Sequence, residues 1–584
     1  MNHRLHITSA LVACLVLACQ GKAEESKSEK AEKTTEAAQS QESPKLEAET
    51  GALPIGDAAA PPAAFMEEGR MGRGGKGKDT LLKAEEARPR PAAPRESVSL
   101  GVAMVQDGSA GSAPYSLQGA TQHDLIAEPK ARPARDLPTD DKLTDYGING
   151  WFDSKLDPLS TFAVDVDTGS YTMVRGMLNH TQRVPPAAVR VEEFVNYFSY
   201  DYPNPEQDMP FSVAFEAAPS PLEPKVHLVR IGVQGRQPAQ QHRLAANLVF
   251  LVDVSGSMRG ADRIELAKEA LRVLVDRLDA RDSVALVTYA GRTEVVLQAT
   301  PGSQKESILE ALDGLTTGGG TSMGTGMELA YEQALSMASP EKINRVIVIS
   351  DGDANIGKSS HQAIHAAVAD YVKQGITLTT IGVGRGNYND TMMEQLANKG
   401  NGNYFYLDDQ KEAIKVFGEQ LNGTLEVIAK DVKLQVEWNP EVVPRYRLIG
   451  YENRDIADED FRNDAVDAGE IGAGHQVTAV YEVELAQQQG PLGTVRIRHK
   501  EPNGDTAVEN SYPLGVEAVQ GTFEGASADL RFAASVAYFA DRLRGGSQYD
   551  FETLAALAKG AADKRAERLE LVKLIEKAGA MPQR

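Results

Sequence analysis

The sequence predicts a multidomain α/β plus β protein. A doubly wound α/β domain is expected between a small α+β N-terminal module and a C-terminal module that is first β-sandwich-like and then helical. Three observations predict it. Apolar strands alternate with amphipathic helices from Asn247 to about Leu425. Strands of period two without intervening helices follow. Ahead of both, the stretch from Gln20 to Pro114 holds a single aromatic residue, Phe65. The boundaries drawn from these shifts are a signal segment over 1–18, a tether over 19–140, an N-terminal module over 141–242 and the α/β domain over 243–425. A β-rich module over 426–525 and helices over 526–584 complete the chain.

The chain has 584 residues, 61 of them Lys or Arg against 83 Asp or Glu, for a net charge of −22. That balance excludes a broad nucleic-acid surface, which needs clustered cations to neutralise phosphates. The two cysteines, Cys14 and Cys19, both fall in the first twenty residues, so no disulfide framework or cysteine zinc site can exist downstream. Asn2, His3 and Arg4 precede an uncharged run from Ile7 to Ala18, too short to span a bilayer and of the form of a secretory signal. Val16-Leu17-Ala18-Cys19 resembles the bacterial lipobox, in which the cysteine is lipidated and begins the mature chain; an ordinary signal cut nearby is the alternative. By resemblance to Gram-negative lipoproteins, Gln20 in place of Asp implies the outer membrane. The expected location is therefore the cell envelope, through a lipid anchor at Cys19.

The segment after Cys19 is rich in Ala, Glu, Lys, Pro, Ser and Gly and cannot bury enough apolar surface to offset its ordering entropy. It reads as a disordered tether with a reach on the order of 60 Å for about 120 residues. Gly72 to Asp79 nearly fits a phosphate-binding P-loop, but Asp79 stands where a Ser or Thr must bind Mg²⁺, and neither strand nor helix frames it. No nucleotide site is expected.

In the N-terminal module, Phe162-Val164-Val166, Phe211-Val213-Phe215 and Val229-Ile231-Val233 alternate as strands, and Val191, Phe194, Val195 and Phe198 form a helical stripe. Asp167-Thr168-Gly169-Ser170 matches the catalytic loop of aspartic proteases. Those enzymes need two carboxylates sharing a proton, and the chain has no second loop of this form, so only a homodimer could use Asp167. Asp165, Asp167 and Gly169 also imitate the start of a calcium loop, but Gly169 stands at its fifth position and Gly176 at its twelfth. A strand-to-helix turn is the preferred reading. Hydrolysis through Asp167 stays as the alternative function.

Within the α/β domain, Leu248–Val252, Ser283–Tyr289, Val346–Ile349 and Ile376–Val383 are expected strands. Helices are expected around Ser303–Leu312, Met327–Met337, His361–Lys373 and Lys411–Leu421, and another follows the first strand with Ile264, Ala267, Leu271 and Leu274 on one face. Ligands of such sheets bind beyond the carboxyl ends of the strands. There, FLVDVSGSM supplies Asp253, Ser255 and Ser257, the glycine-rich TTGGGTSMGTG supplies Thr321, and VIVISDGDANIG supplies Asp351. Two carboxylates and three hydroxyls from three loops form an all-oxygen set suited to a small hard divalent cation.

This constellation resembles the metal-ion-dependent adhesion site of von Willebrand factor type A domains, which implies a Rossmann-like sheet. The resemblance implies Mg²⁺, with Mn²⁺ or Ca²⁺ as alternatives, bound through the hydroxyls of Ser255, Ser257 and Thr321, while Asp253 and Asp351 act largely through water. It leaves one position for an acidic side chain of a protein partner. Neutral hydroxyl ligands keep the cation electron-poor and able to attract that carboxylate.

After Leu425, Val432 to Trp438, Val477 to Leu485 and Val495 to Ile497 alternate as antiparallel strands, with Asp455 to Glu470 as a surface loop between them. Phe532, Val536, Phe539 and Leu543 mark a helix, and a second starts near Phe551. Ser160 to Pro203 and Arg447 to Val483 resemble the N- and C-terminal modules of YfbK-like bacterial von Willebrand factor type A lipoproteins. His361 and His365 have zinc-protease spacing, but Gln362 replaces the general base, and no Gly-x-Ser-x-Gly elbow occurs. A binding protein is expected, and catalysis is not. A third possibility is a scaffold whose metal only stabilises the fold.

Overall fold

In the computed structural model, strands that precede the α/β domain pair with strands that follow it. The structure describes residues 132–133, 141–206, 209–237, 243–352, 361–486 and 490–582. The signal segment, Cys19, the near P-loop and almost all of the tether lie outside these residues. Among the described residues no helix is long and apolar enough to cross a membrane.

The α/β domain contains β1 (Ala246–Asp253), β2 (Ser283–Tyr289), β3 (Thr293–Pro301), β4 (Ile343–Ser350), β5 (Ile376–Val383) and β6 (Tyr404–Leu407). The sheet order is β6-β5-β4-β1-β2-β3. Neighbours are parallel except in the β2–β3 hairpin. Every residue of β1 is buried, as a central parallel strand covered on both faces requires. Leu248, Phe250 and Val252 face one core with Leu271 and Leu274, while Val249 and Leu251 face the other with Met327 and Tyr331. The chain runs from β1 to β2 on one side, and β4 returns on the other, so the strand order reverses between β1 and β4. That reversal opens a crevice at their carboxyl ends.

The helices of the domain are α1 (Leu266–Arg277), α2 (Lys305–Asp313), α3 (Met323–Met337), α4 (His361–Val372) and α5 (Asp390–Lys399). The single helix expected over Lys411–Leu421 is instead broken into short pieces, Gln410–Ile414, Lys415–Glu419 and Leu421–Leu425. Gly418 lies within the second piece and Gly423 within the third, and glycine, a poor helix former, weakens both.

The flanking strands make two facing five-stranded sheets. In one, Val427–Trp438 is central, bordered by Gly493–Lys500 on one edge and by Leu159–Ala163 and Gly469–Gly472 on the other. In the second, Val226–Gly235 lies between Phe211–Pro219 and Gln476–Glu484, with Arg445–Ile449 beyond. Phe162 and Val233 from before the α/β domain share a core with Trp438, Tyr481 and Ile497 from after it. The modules predicted over 141–242 and 426–525 therefore share one sandwich, and the α/β domain is inserted between its strands. A few strands from either side alone would leave apolar faces uncovered, and pairing covers them.

The Asp455–Glu470 stretch expected as a surface loop is partly built in: it holds a helical turn over Asp458–Arg462 and ends in the Gly469–Gly472 strand with Glu470 buried. The C-terminal helices are α6 (Ala528–Arg544), α7 (Phe551–Ala561) and α8 (Ala566–Ala580). Ser527 caps α6 by accepting from the Leu530 N–H, and Gly545 ends it at φ 95°. Phe532 of α6 meets Phe198 edge to face at 5.0 Å, tying these helices to the N-terminal segment.

Candidate metal centre

All five predicted metal-site residues are described, and they lie at the crevice where the strand order reverses. Asp253 ends β1 fully buried. Its Oδ1 accepts from the Ser255 N–H at 2.8 Å and its Oδ2 from the Ser350 hydroxyl at 3.0 Å, so both oxygens are fixed. The Ser255 and Ser257 hydroxyl oxygens are 2.9 Å apart. Adjacent oxygens of an octahedral Mg²⁺ at ~2.1 Å would be separated by about 3 Å, so this pair fits the ion without rearrangement. Asp351 follows β4, buried. Burial, with the Asp351 charge adding to it against the Ser255 hydrogen bonds, pushes the Asp253 carboxyl up to about 6. Two buried carboxylates that repel each other beside paired hydroxyls suit a divalent cation, which would offset that repulsion.

Thr321 is half-buried two residues before α3. Its loop is drawn to the first by the Gly256 N–H donating to the Gly319 carbonyl at 3.2 Å and the Gly318 N–H donating to Val254 O at 2.8 Å. Of the three glycines 318–320, only Gly319 is conformationally required: it has φ 84°, and an added Cβ would sit 3.2 Å from the Gly291 nitrogen. Sequence reasoning missed Arg263. Its guanidinium donates to Ser257 O at 2.8 Å and Arg385 O at 2.9 Å, and its Nε lies 3.8 Å from Asp351 Oδ2. It thus ties the first and third metal loops together. A lone arginine in a helical segment gives no sequence signal of such a role. Beside these loops opens a cavity of about 490 Å³, lined in part by Val254, Ala290, Arg292, Val296 and Gly319.

The Asp167 loop is structural. Asp167 is buried, its Oδ1 accepts from the Tyr404 N–H at 2.8 Å, and its Oδ2 pairs with Arg454 at 3.0 Å. Asp165 accepts from the Asp167 N–H and pairs with the same arginine at 3.1 Å, so the two carboxyls share a buried cation. A solvent-reached catalytic dyad does not fit this arrangement. Burial and Asp165 push the Asp167 carboxyl up to about 8, with Arg454 opposing them. Gly169 opens the Gly169–Asn179 helix against the Tyr404 ring, where an added Cβ would lie 2.2 Å from Tyr404 Cε1. Gly169→Ala is expected to destabilise the fold by about 1–3 kcal/mol by overpacking, seen as a lower urea midpoint at unchanged slope. Of the zinc-spaced histidines, the side chain of His361 lies outside the described residues and His365 is half-buried.

The family model described as "von Willebrand factor type A domain" matches residues 247–419, which hold the whole constellation. A second, "von Willebrand factor", matches 138–230, and a third, "YfbK, C-terminal", matches 423–581. YfbK of Escherichia coli (strain K12) is 39% identical over 453 residues, covering 72% of this chain and 78% of its own. The chain belongs to the YfbK family. More distant relatives of this YfbK-family chain include the protein sll0103 of Synechocystis sp., 24% identical over 50% of this chain and 70% of its own. Another is inter-alpha-trypsin inhibitor heavy chain H3 of Homo sapiens, 24% identical over 42% of this chain and 29% of its own. Among solved structures, a von Willebrand factor type A protein from Catenulispora acidiphila aligns with 65% of the YfbK-family chain and 91% of its own, at 17% identity and a TM-score of 0.37. The α/β domain is thus a von Willebrand factor type A domain, Rossmann-like in topology and of a class associated with protein–protein interaction.

Proposed function

We propose that this YfbK-family protein is a lipid-anchored envelope protein that captures an acidic side chain of a protein partner through a divalent metal, Mg²⁺ foremost. The metal would be held by Ser255, Ser257 and Thr321, with Asp253 and Asp351 behind them. The observation that carries the reading is the Ser255–Ser257 hydroxyl pair, 2.9 Å apart and backed by the buried, doubly hydrogen-bonded Asp253. A bound cation would act as an electrophile for the incoming carboxylate. The chain's own part is to fix the hydroxyls, balance charge with two carboxylates and leave the outer side open. The cavity beside the glycine loop has room for the residues that flank the partner's acidic group. Anchoring at Cys19 would place the folded part at the end of the tether, at the outer membrane.

Titrating the full-length protein with Mg²⁺ or Mn²⁺ is expected to show one class of site that Asp253→Ala removes. Crosslinking in cells is expected to capture a partner only without chelator. Metal binding unchanged in Asp253→Ala would sink the reading. Capture that ignores chelator would leave the metal a purely structural part.

A further inference from the structure

Away from the adhesion-type site, three carboxylates meet on the sandwich. Asp431 sits at a bulge in Val427–Trp438, where the pairing with both neighbouring strands shifts register, and its backbone is left-handed at φ 53°. Asp467 and Glu470 arrive from the acidic stretch, Glu470 within the Gly469–Gly472 strand that pairs with the bulged one. One carboxylate oxygen from each lies within 4.8 Å of the others. Two oxygens on opposite sides of a single Ca²⁺ are about 4.6–5.2 Å apart, so the three are close enough to share one ion.

Proximity alone would be ordinary for acidic residues, and two of the three have lysine partners. Lys500 reaches Asp431 at 2.7 Å and Lys399 reaches Asp467 at 3.6 Å. Glu470 is different. It is only 9% exposed, its buried Oε1 has no hydrogen-bond partner, and no ion pair among the described residues reaches it. A buried carboxylate oxygen without a partner costs free energy and calls for a ligand. Asp467 and Asp431 crowd it with like charge, while Arg454 and Arg345 attract it from further off without pairing with it, so a cation is the ligand that suits this oxygen. Asp467 is half-exposed, which leaves the group open to solvent on one side.

We infer that Asp431, Asp467 and Glu470 form a second divalent-cation site, of Ca²⁺ type, which pins the end of the acidic stretch to the bulged strand. Its oxygen-only, carboxylate-rich set on irregular backbone suits Ca²⁺, which accepts flexible coordination, better than Mg²⁺, which demands near-ideal octahedral geometry and gives up its waters reluctantly. The site stands apart from the Asp253 centre in sequence and in sheet.

Radiolabelled Ca²⁺ in equilibrium dialysis against full-length Asp253→Ala protein tests this without interference from the first site. One saturable equivalent is expected, along with a rise in melting temperature when Ca²⁺ is added. Adding Asp467→Asn, an exposed change that leaves packing intact, or Glu470→Gln is expected to weaken that binding by at least about tenfold, since affinity follows ligand charge. No Ca²⁺ bound by Asp253→Ala, or the same affinity after both further substitutions, overturns the inference.

Discussion

Replacing Arg190 by leucine is expected to cost about 3–5 kcal/mol of stability, the price of leaving buried carboxylates without their cation. Arg190 is 4% exposed and sits between the N-terminal segment and α5 of the inserted domain. It pairs with Glu193, with Asp390 at 2.6 Å and with Glu394 at 3.8 Å, and lies 5.9 Å from the centre of the Tyr404 ring. Tyr404 in turn donates its hydroxyl to Asp390 at 2.7 Å, and the Ser170 N–H donates to Glu193 at 2.7 Å. Leucine would fill part of the volume and satisfy none of these acceptors.

The loss should depend on pH in a stated direction. Burial raises the Glu193 carboxyl well above its usual 4.5 against the pull of Arg190, and raises Glu394 as well. A carboxyl raised in the folded state binds more protons there than in the unfolded chain, so stability falls as pH climbs from the unfolded value through the folded one. Removing Arg190 raises both carboxyls further and widens that window upward. The difference in urea midpoint between wild type and Arg190→Leu should therefore be larger at about pH 8 than at about pH 5.5. An equal difference at both values would show that lost packing, and not unpaired charge, sets the cost.

Arg190 also shows where sequence reasoning stops. The four parallel strands β1, β2, β4 and β5 were legible because each is a continuous apolar run ending in turn residues, and the three loops of the candidate metal centre because their oxygen donors stand at or near the ends of such runs. β3 was not legible: only alternate residues are partly buried and the rest face solvent, so it carries no apolar run. β6 is fully buried but only four residues long, too short for a periodic signal. Pairing was hidden as well. Alternation in Val226–Gly235 and in Gln476–Glu484 suggests a wet and a dry face for each and says nothing of their being neighbours, whereas nearly every residue of both is buried. The buried Arg190 and the half-buried Arg263 and Arg454 read in sequence like any surface cation, because what covers them comes from residues far along the chain.

Ser257→Asp is expected to keep metal binding and abolish partner capture. Ser257 is half-buried in the first loop, with its hydroxyl beside that of Ser255. An added carboxylate contributes charge to the cation site, and affinity for a hard cation rises with ligand charge. The same charge repels the acidic group of a partner. Two unit charges about 4 Å apart near a protein surface interact by about 4 kcal/mol. That corresponds to roughly a thousandfold loss of partner affinity. Mn²⁺ titration of the variant should therefore match or exceed wild type, while chelator-sensitive crosslinking in cells disappears. The pair of measurements separates an adhesion site from a structural metal. A metal that only stabilises the fold gains from the extra ligand and leaves any protein contact untouched, so capture that persists in Ser257→Asp with metal bound would show that the partner docks elsewhere. Loss of both together would mean that the aspartate disrupted the loop, which the 2.9 Å contact with Ser255 makes testable through the milder Ser257→Ala. That change removes one of the proposed ligand oxygens and should weaken metal binding and capture in parallel.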